Sequence, residues 1–273
     1  MTTTISRYSL YILLLTVFSF AGCKKPPIYT HGDNTFAVTA EDDKKIGQAI
    51  DGEFIKYIDT ASHISLYERD HHQELYSILD DLIQKAVSTN QLANGILFDW
   101  TIRIIDEPNN EHIFVAPGGY IYVTKDILML LNSEAQLFML ISHAMANIDK
   151  RYITEQLEDN LSIRYLEDLA LGGTVEDMTD IFYTIQHAKY DSADVHVIEE
   201  QAKAITCAKK YDLGSYADFI TQITQVIKEP IEWAIAYPAD PNRVSEIYNH
   251  QKDTECSGNT VGLEFYKKFI ALL

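Results

Sequence analysis

Residues 143–147 read His143-Ala144-Met145-Ala146-Asn147. A spacing of four sets the first and last of these one above the other on a helix face. Two imidazoles at that spacing, with a glutamate directly after the first, hold zinc and take a proton from its bound water. In this chain the glutamate position is Ala144 and the second imidazole position is Asn147. One potential ligand stands; the base does not. Further along, His196, Glu199 and Lys203 follow at steps of three and four and would share a second helix face. Glu199 and Lys203 have the acid N-terminal, the favourable orientation for an ion pair along a helix. An ammonium there would balance the charge of Glu199. The alternative is that His143, His196 and Glu199 assemble a new three-ligand set, the minimum for a catalytic zinc.

Other chemistries find no support. Gly172-Gly173 lacks the spacing of a phosphate-cradling loop, and no Gly-x-Ser-x-Gly elbow occurs. His71-His72 has no partner at ligand spacing, and Asp80-Asp81 and Glu41-Asp42-Asp43 read as solvated faces. A formal net charge of −18 argues against nucleic acid, because nothing neutralises phosphates. It argues equally against docking on anionic lipid.

The elements that must position these residues are mainly helical. Ile46, Ile50, Phe54 and Ile58, then Leu75, Ile78 and Leu82, step by three and four between Glu41 and Val87. Residues 99–106 alternate, with Trp100, Ile102 and Ile104 on one face, and read as a strand. Pro108-Asn109-Asn110 is a turn, and residues 113–116 and 120–124 give two short strands around Pro117-Gly118-Gly119. A short helix covers 125–131. Ser133 then reads as an N-cap with Gln136 completing a capping box for the helix that carries His143. Helix continues through most of the chain to Ile227. It resumes near residues 243–251 and again at 265–273.

The N-terminus reads as an address. Arg7 precedes an uncharged run from Leu10 to Phe20, short for a spanning helix, which needs about 20 apolar residues. Phe20-Ala21-Gly22-Cys23 resembles a bacterial lipobox, in which the cysteine is lipidated. An uncleaved anchor and a plain secretory leader are the alternatives. Lys24 after the cysteine, by resemblance to known sorting rules, favours the outer membrane of a Gram-negative cell. The expected organisation is a signal peptide at 1–22, a lipidated N-terminus and tether at 23–40, and one domain at 41–273. Beyond Cys23, Cys207 and Cys256 remain, either as a disulfide in an oxidising envelope or as two unpaired thiols.

In order along the chain, several pieces resemble the HtpX/BepA-like zinc metallopeptidases, relatives of the CAAX prenyl protease. They are Trp100 through Asp106, Asn110 through Val123, Glu134-Ala135-Gln136-Leu137 with the His143 helix, Glu199-Glu200-Gln201-Ala202-Lys203, and Tyr237-Pro238 with Arg243. The resemblance covers roughly residues 41–250. It implies an α+β, mainly α-helical, zincin-like (gluzincin) metallopeptidase fold with a small antiparallel β-sheet near the His143 helix. It also implies that Glu199 stands at the third zinc-ligand position and His143 at the first. Ala144 then replaces the general base, Asn147 a ligand, Lys203 a second acid, and Tyr237 a histidine near the active site.

The expectation is a catalytically inactive homologue, a lipid-anchored protein of the bacterial cell envelope that binds polypeptide or an envelope partner, with no cofactor. The resemblance adds that an edge strand in the family takes extended substrate by main-chain pairing. Residues 111–116 or 120–124 are the candidate edge. The alternatives are an active zinc metalloendopeptidase using His143, His196 and Glu199, and a purely structural lipoprotein.

Overall fold

The computed structural model describes residues 29–31, 34–173, 178–226, 237, 242–252, 256 and 258–273. The leader, Cys23 and residues 24–28, 32 and 33 of the tether therefore lie outside the described residues, as does Pro238. In chain order the elements are β1 (Tyr29–His31), β2 (Asn34–Phe36), α1 (Ala40–Thr60), β3 (Ser65–Leu66), α2 (Gln73–Val87), β4 (Thr101–Asp106), β5 (Ile113–Ala116) and β6 (Tyr120–Thr124). There follow α3 (Lys125–Leu130), α4 (Glu134–Lys150), α5 (Tyr152–Asn160), α6 (Ile163–Ala170), α7 (Thr179–Gln186), α8 (Ser192–Ala208), α9 (Leu213–Thr221), α10 (Arg243–Lys252) and α11 (Leu263–Ile270). The fold is mainly helical, with a two-stranded sheet of β1 and β2 and a four-stranded sheet beside the helix that carries His143. Among the described residues no helix is long and apolar enough to cross a membrane.

The four-stranded sheet is mixed, not antiparallel. Its order is β3-β4-β6-β5, with β3 antiparallel to β4, β4 parallel to β6, and β5 antiparallel to β6. The cause is where the chain goes after the turn at residues 108–110. β5 runs back past β4 but one place further out, and the hairpin at Pro117-Gly118-Gly119 then inserts β6 between them. That places Ile102 beside Ile121 and Arg103 beside Tyr122.

The hairpin loop is also the sheet's contact with α1. A capping box of Thr39 and Asp42 starts that helix, and Ile46, Ile50, Phe54 and Ile58 form its buried stripe. Gly47 faces the loop so closely that a Cβ there would lie 1.9 Å from the Pro117 carbonyl oxygen. Gly118 answers from the other side, with φ of 75° and an added Cβ only 2.5 Å from the Asp43 carbonyl. Only glycine meets both demands at 118.

Helix α4 is buried from Glu134 through Asp149, so it has no solvent face to keep polar. Ser133 caps it by accepting from the Gln136 amide at 3.2 Å. The return half of the expected box is displaced, because the Gln136 side chain accepts from Asn132 N (2.7 Å) and donates to the Ser215 carbonyl in α9 (2.8 Å). At the other end Arg151 adopts a left-handed conformation (φ 64°). Its guanidinium meets buried Asp43 of α1 at 2.6 and 3.0 Å, fixing the two helices together. Burial holds the Asp43 carboxyl above its ordinary range despite that partner. Asp149, in the last turn of α4, accepts from the Ala93 and Asn94 amides and from Gln201 on α8.

Candidate functional site

Helices α4 and α8 pack side by side along their lengths. Each offers the residues singled out from sequence: His143, Ala144 and Asn147 on α4, and Glu199 and Lys203 on α8. All five are buried. α9 and α10 pack against each other, and α10 brings Arg243 to Glu199.

The site is a chain of buried contacts. Arg243 Nε donates to Glu199 Oε1 at 2.7 Å, and both side chains are almost wholly enclosed. Arg243 Nη1 also donates to the Tyr237 carbonyl at 3.1 Å. Tyr237 in turn lays its ring edge-on to the His143 imidazole, with centroids 4.6 Å apart. Its hydroxyl accepts from Asn147 Nδ2 at 3.0 Å. Tyr190 stacks on the other side of Tyr237, with centroids 5.0 Å apart. His143, Asn147, Tyr190, Tyr237, Arg243 and Glu199 are therefore one continuous cluster of rings and charge.

Electrostatics follow from enclosure. Burial, reinforced by the Arg243 charge, holds the His143 imidazole well below its usual range, so it is neutral. Burial pushes the Glu199 carboxyl up, against the pull of Arg243 and Lys203. The Tyr190 and Tyr237 phenols are pushed up by burial and stay protonated.

Two expectations change here. The direct partner of Glu199 is Arg243, not Lys203. The Lys203 ammonium bonds to Glu200 instead, because at i−3 that carboxylate is half-exposed and open to it, whereas the Glu199 oxygen is already taken. Lys203 acts on Glu199 only through its charge. The rebuilt three-ligand set does not form either. His196 is exposed and lies 3.6 Å from Glu246, while His143 is enclosed. Among the described residues the only ligand-type group of three gathered within 4.8 Å is Cys207, His250 and Cys256. A cavity of about 350 Å³ is lined by the exposed His196 and Glu246 and by the buried Glu199 and Arg243.

The arrangement does not fit a catalytic zinc. Such an ion needs three donors with an open position for water. Here one carboxylate oxygen is held by a guanidinium, the amide at 147 by a phenol, and the base position is a methyl group. What the cluster can do is join α4, α8, α10 and the Tyr190 and Tyr237 segments through buried hydrogen bonds.

The strand edge proposed for extended polypeptide is closed. β6 is internal, and β5, at the edge, has Ile113, Phe114, Val115 and Ala116 all buried. Helices α4, α5 and α7 pack on it, and His112 Nε2 sits 2.8 Å from the Gln186 carbonyl at the end of α7. Main-chain pairing there would require moving the chain's own helices.

Tyr190 carries no sequence signal, since it lies between helices with no spacing relation to the other site residues. Arg243 stands out in the sequence only through the segment it shares with Tyr237, and no sequence rule ties it to a carboxylate 44 residues earlier. No protein-family model and no curated protein matches the chain.

Proposed function

We propose that this chain is a non-hydrolytic relative of the HtpX/BepA-like metallopeptidases, with a gluzincin-like scaffold. In this reading it is held to the bacterial cell envelope, at the outer membrane, by lipid on Cys23, and it acts by contact with an envelope protein. The resemblance of the ordered segments between residues 100 and 243 supports the lineage. The observation that carries the loss of chemistry is the Asn147–Tyr237 bond at 3.0 Å beside Ala144, which leaves neither a base at 144 nor a free ligand at 147. A cation of the protein's own takes up the one strong anionic ligand, and Tyr237 takes up Asn147. Removing a general base alone costs about 10²–10⁴ in rate, and these defects fall on parts that act as a unit. The covered β5 edge shifts the mode of contact from extended polypeptide to a folded partner.

Restoration tests the lineage. Ala144→Glu, Asn147→His, Lys203→Asp and Tyr237→His together rebuild the base, the ligand and their surroundings. That variant is expected to bind one zinc per chain. Failure of the folded variant to bind zinc would remove the gluzincin reading. Anchoring is tested separately: Cys23→Ser should move the protein from the membrane to the soluble fraction, and unchanged membrane retention would contradict lipidation.

A further inference from the structure

Cys207 and Cys256 form a disulfide, with Cα atoms 4.9 Å apart, that joins the end of α8 to the segment before α11. His250, in the last turn of α10, completes a group in which one ligand atom from each residue lies within 4.8 Å of the others. Glu200 Oε2 stands 4.0 Å from His250 Nδ1, the place where metal-binding imidazoles keep a carboxylate partner. Two sulfurs and an imidazole are the donor set that zinc prefers to oxygen-only sites. The group is separate from the His143 cluster and shares no ligand with it.

We propose that this disulfide masks a thiolate metal site, so that the reduced chain binds a zinc-like thiophilic cation through Cys207, Cys256 and His250. Cys207 is half-exposed and Cys256 is buried, so a dithiol reductant reaches Cys207 first. Its thiolate bonds to Cys207 sulfur, the Cys207–Cys256 bond breaks, and the electron pair leaves on Cys256. The reductant's second thiolate then attacks its own sulfur in the mixed disulfide and releases Cys207 as thiolate, so two electrons pass from the dithiol, which becomes a disulfide. The cation takes the place of the protons on the two thiols. Reoxidation by a disulfide oxidant re-forms the bond and expels the ion. The site would thus be filled under reducing conditions and empty under oxidising ones, and it does not depend on the functional reading above.

Cobalt(II) is the probe, because a tetrahedral thiolate site gives sulfur-to-cobalt absorption in the near ultraviolet and intense visible bands. Full mature protein is reduced with a dithiol, freed of reductant without air, checked for helical circular dichroism and titrated. The expected result is one cobalt per chain with those bands, displaced by zinc and absent before reduction. His250→Ala, which keeps both sulfurs, should weaken binding about tenfold or more, since even losing an outer partner costs 10–100-fold. His71→Ala, at an exposed histidine outside the group, should leave it unchanged. No thiolate bands in the folded reduced chain, equal binding by His250→Ala, or bands that survive Cys207→Ser with Cys256→Ser would each overturn the proposal, as would a reduced chain that loses its helical signal.

Discussion

At the scale of single residues, the account turns on Arg243. Its guanidinium and the Glu199 carboxylate are both buried, and removing one member of such a pair leaves the other as an uncompensated charge. Arg243→Met should destabilise the protein by roughly 3–5 kcal/mol, read as a fall in the urea midpoint at an unchanged slope. Adding Glu199→Gln should recover part of that loss, because the stranded charge is gone. If Arg243→Met left the midpoint where it was, the pair would not be the centre of the site. Helical spacings that can be counted pair His143 with Asn147 and Glu199 with Lys203, whereas the place of Ala144 and the ligand position of Glu199 are legible only through the resemblance. The sequence could not make the partnership of Arg243 legible, since that depends on how α10 packs. Lys203 shows the limit: its spacing allows both Glu199 and Glu200, and with Arg243 on Glu199 it bonds to the second.

At the scale of elements, close approach does what residue chemistry cannot. The loop 117–119 sits on α1 because Gly47 and Gly118 carry no side chain, and Asp43 with Arg151 fixes α1 to the end of α4. Gly47→Ala places a methyl group against backbone rather than against a side chain that could swing away. Overpacking typically costs about 1–3 kcal/mol, and the upper part of that range is expected here despite alanine's better helix propensity. A thermal midpoint equal to that of the unmodified protein would show that the loop and helix do not meet as described. Strand positions were readable from alternation, and the α4 cap from Ser133, yet the sheet's mixed order was not. Alternation reports which face is buried and is silent about which strand lies beside which. The covered β5 edge was equally hidden, because α5 and α7 close it from far along the chain.

At the scale of the whole molecule, the buried cluster links α4, α8 and α10, and the disulfide ties the end of α8 to the C-terminal segment. Such a body suits a protein that keeps its shape and presents a surface. With a net charge of −18, its encounter with a basic partner would be fast at low salt and slower as screening rises. The claim that unites all three scales is that a closed cluster of the protein's own side chains stands where the resemblance would put a metal. It is tested most directly on the purified mature protein with its disulfide intact, by elemental analysis for zinc alongside cleavage of an unfolded protein substrate. The account predicts zinc well below one ion per chain and no cleavage above background. One zinc per chain with cleavage abolished by a chelator would contradict it.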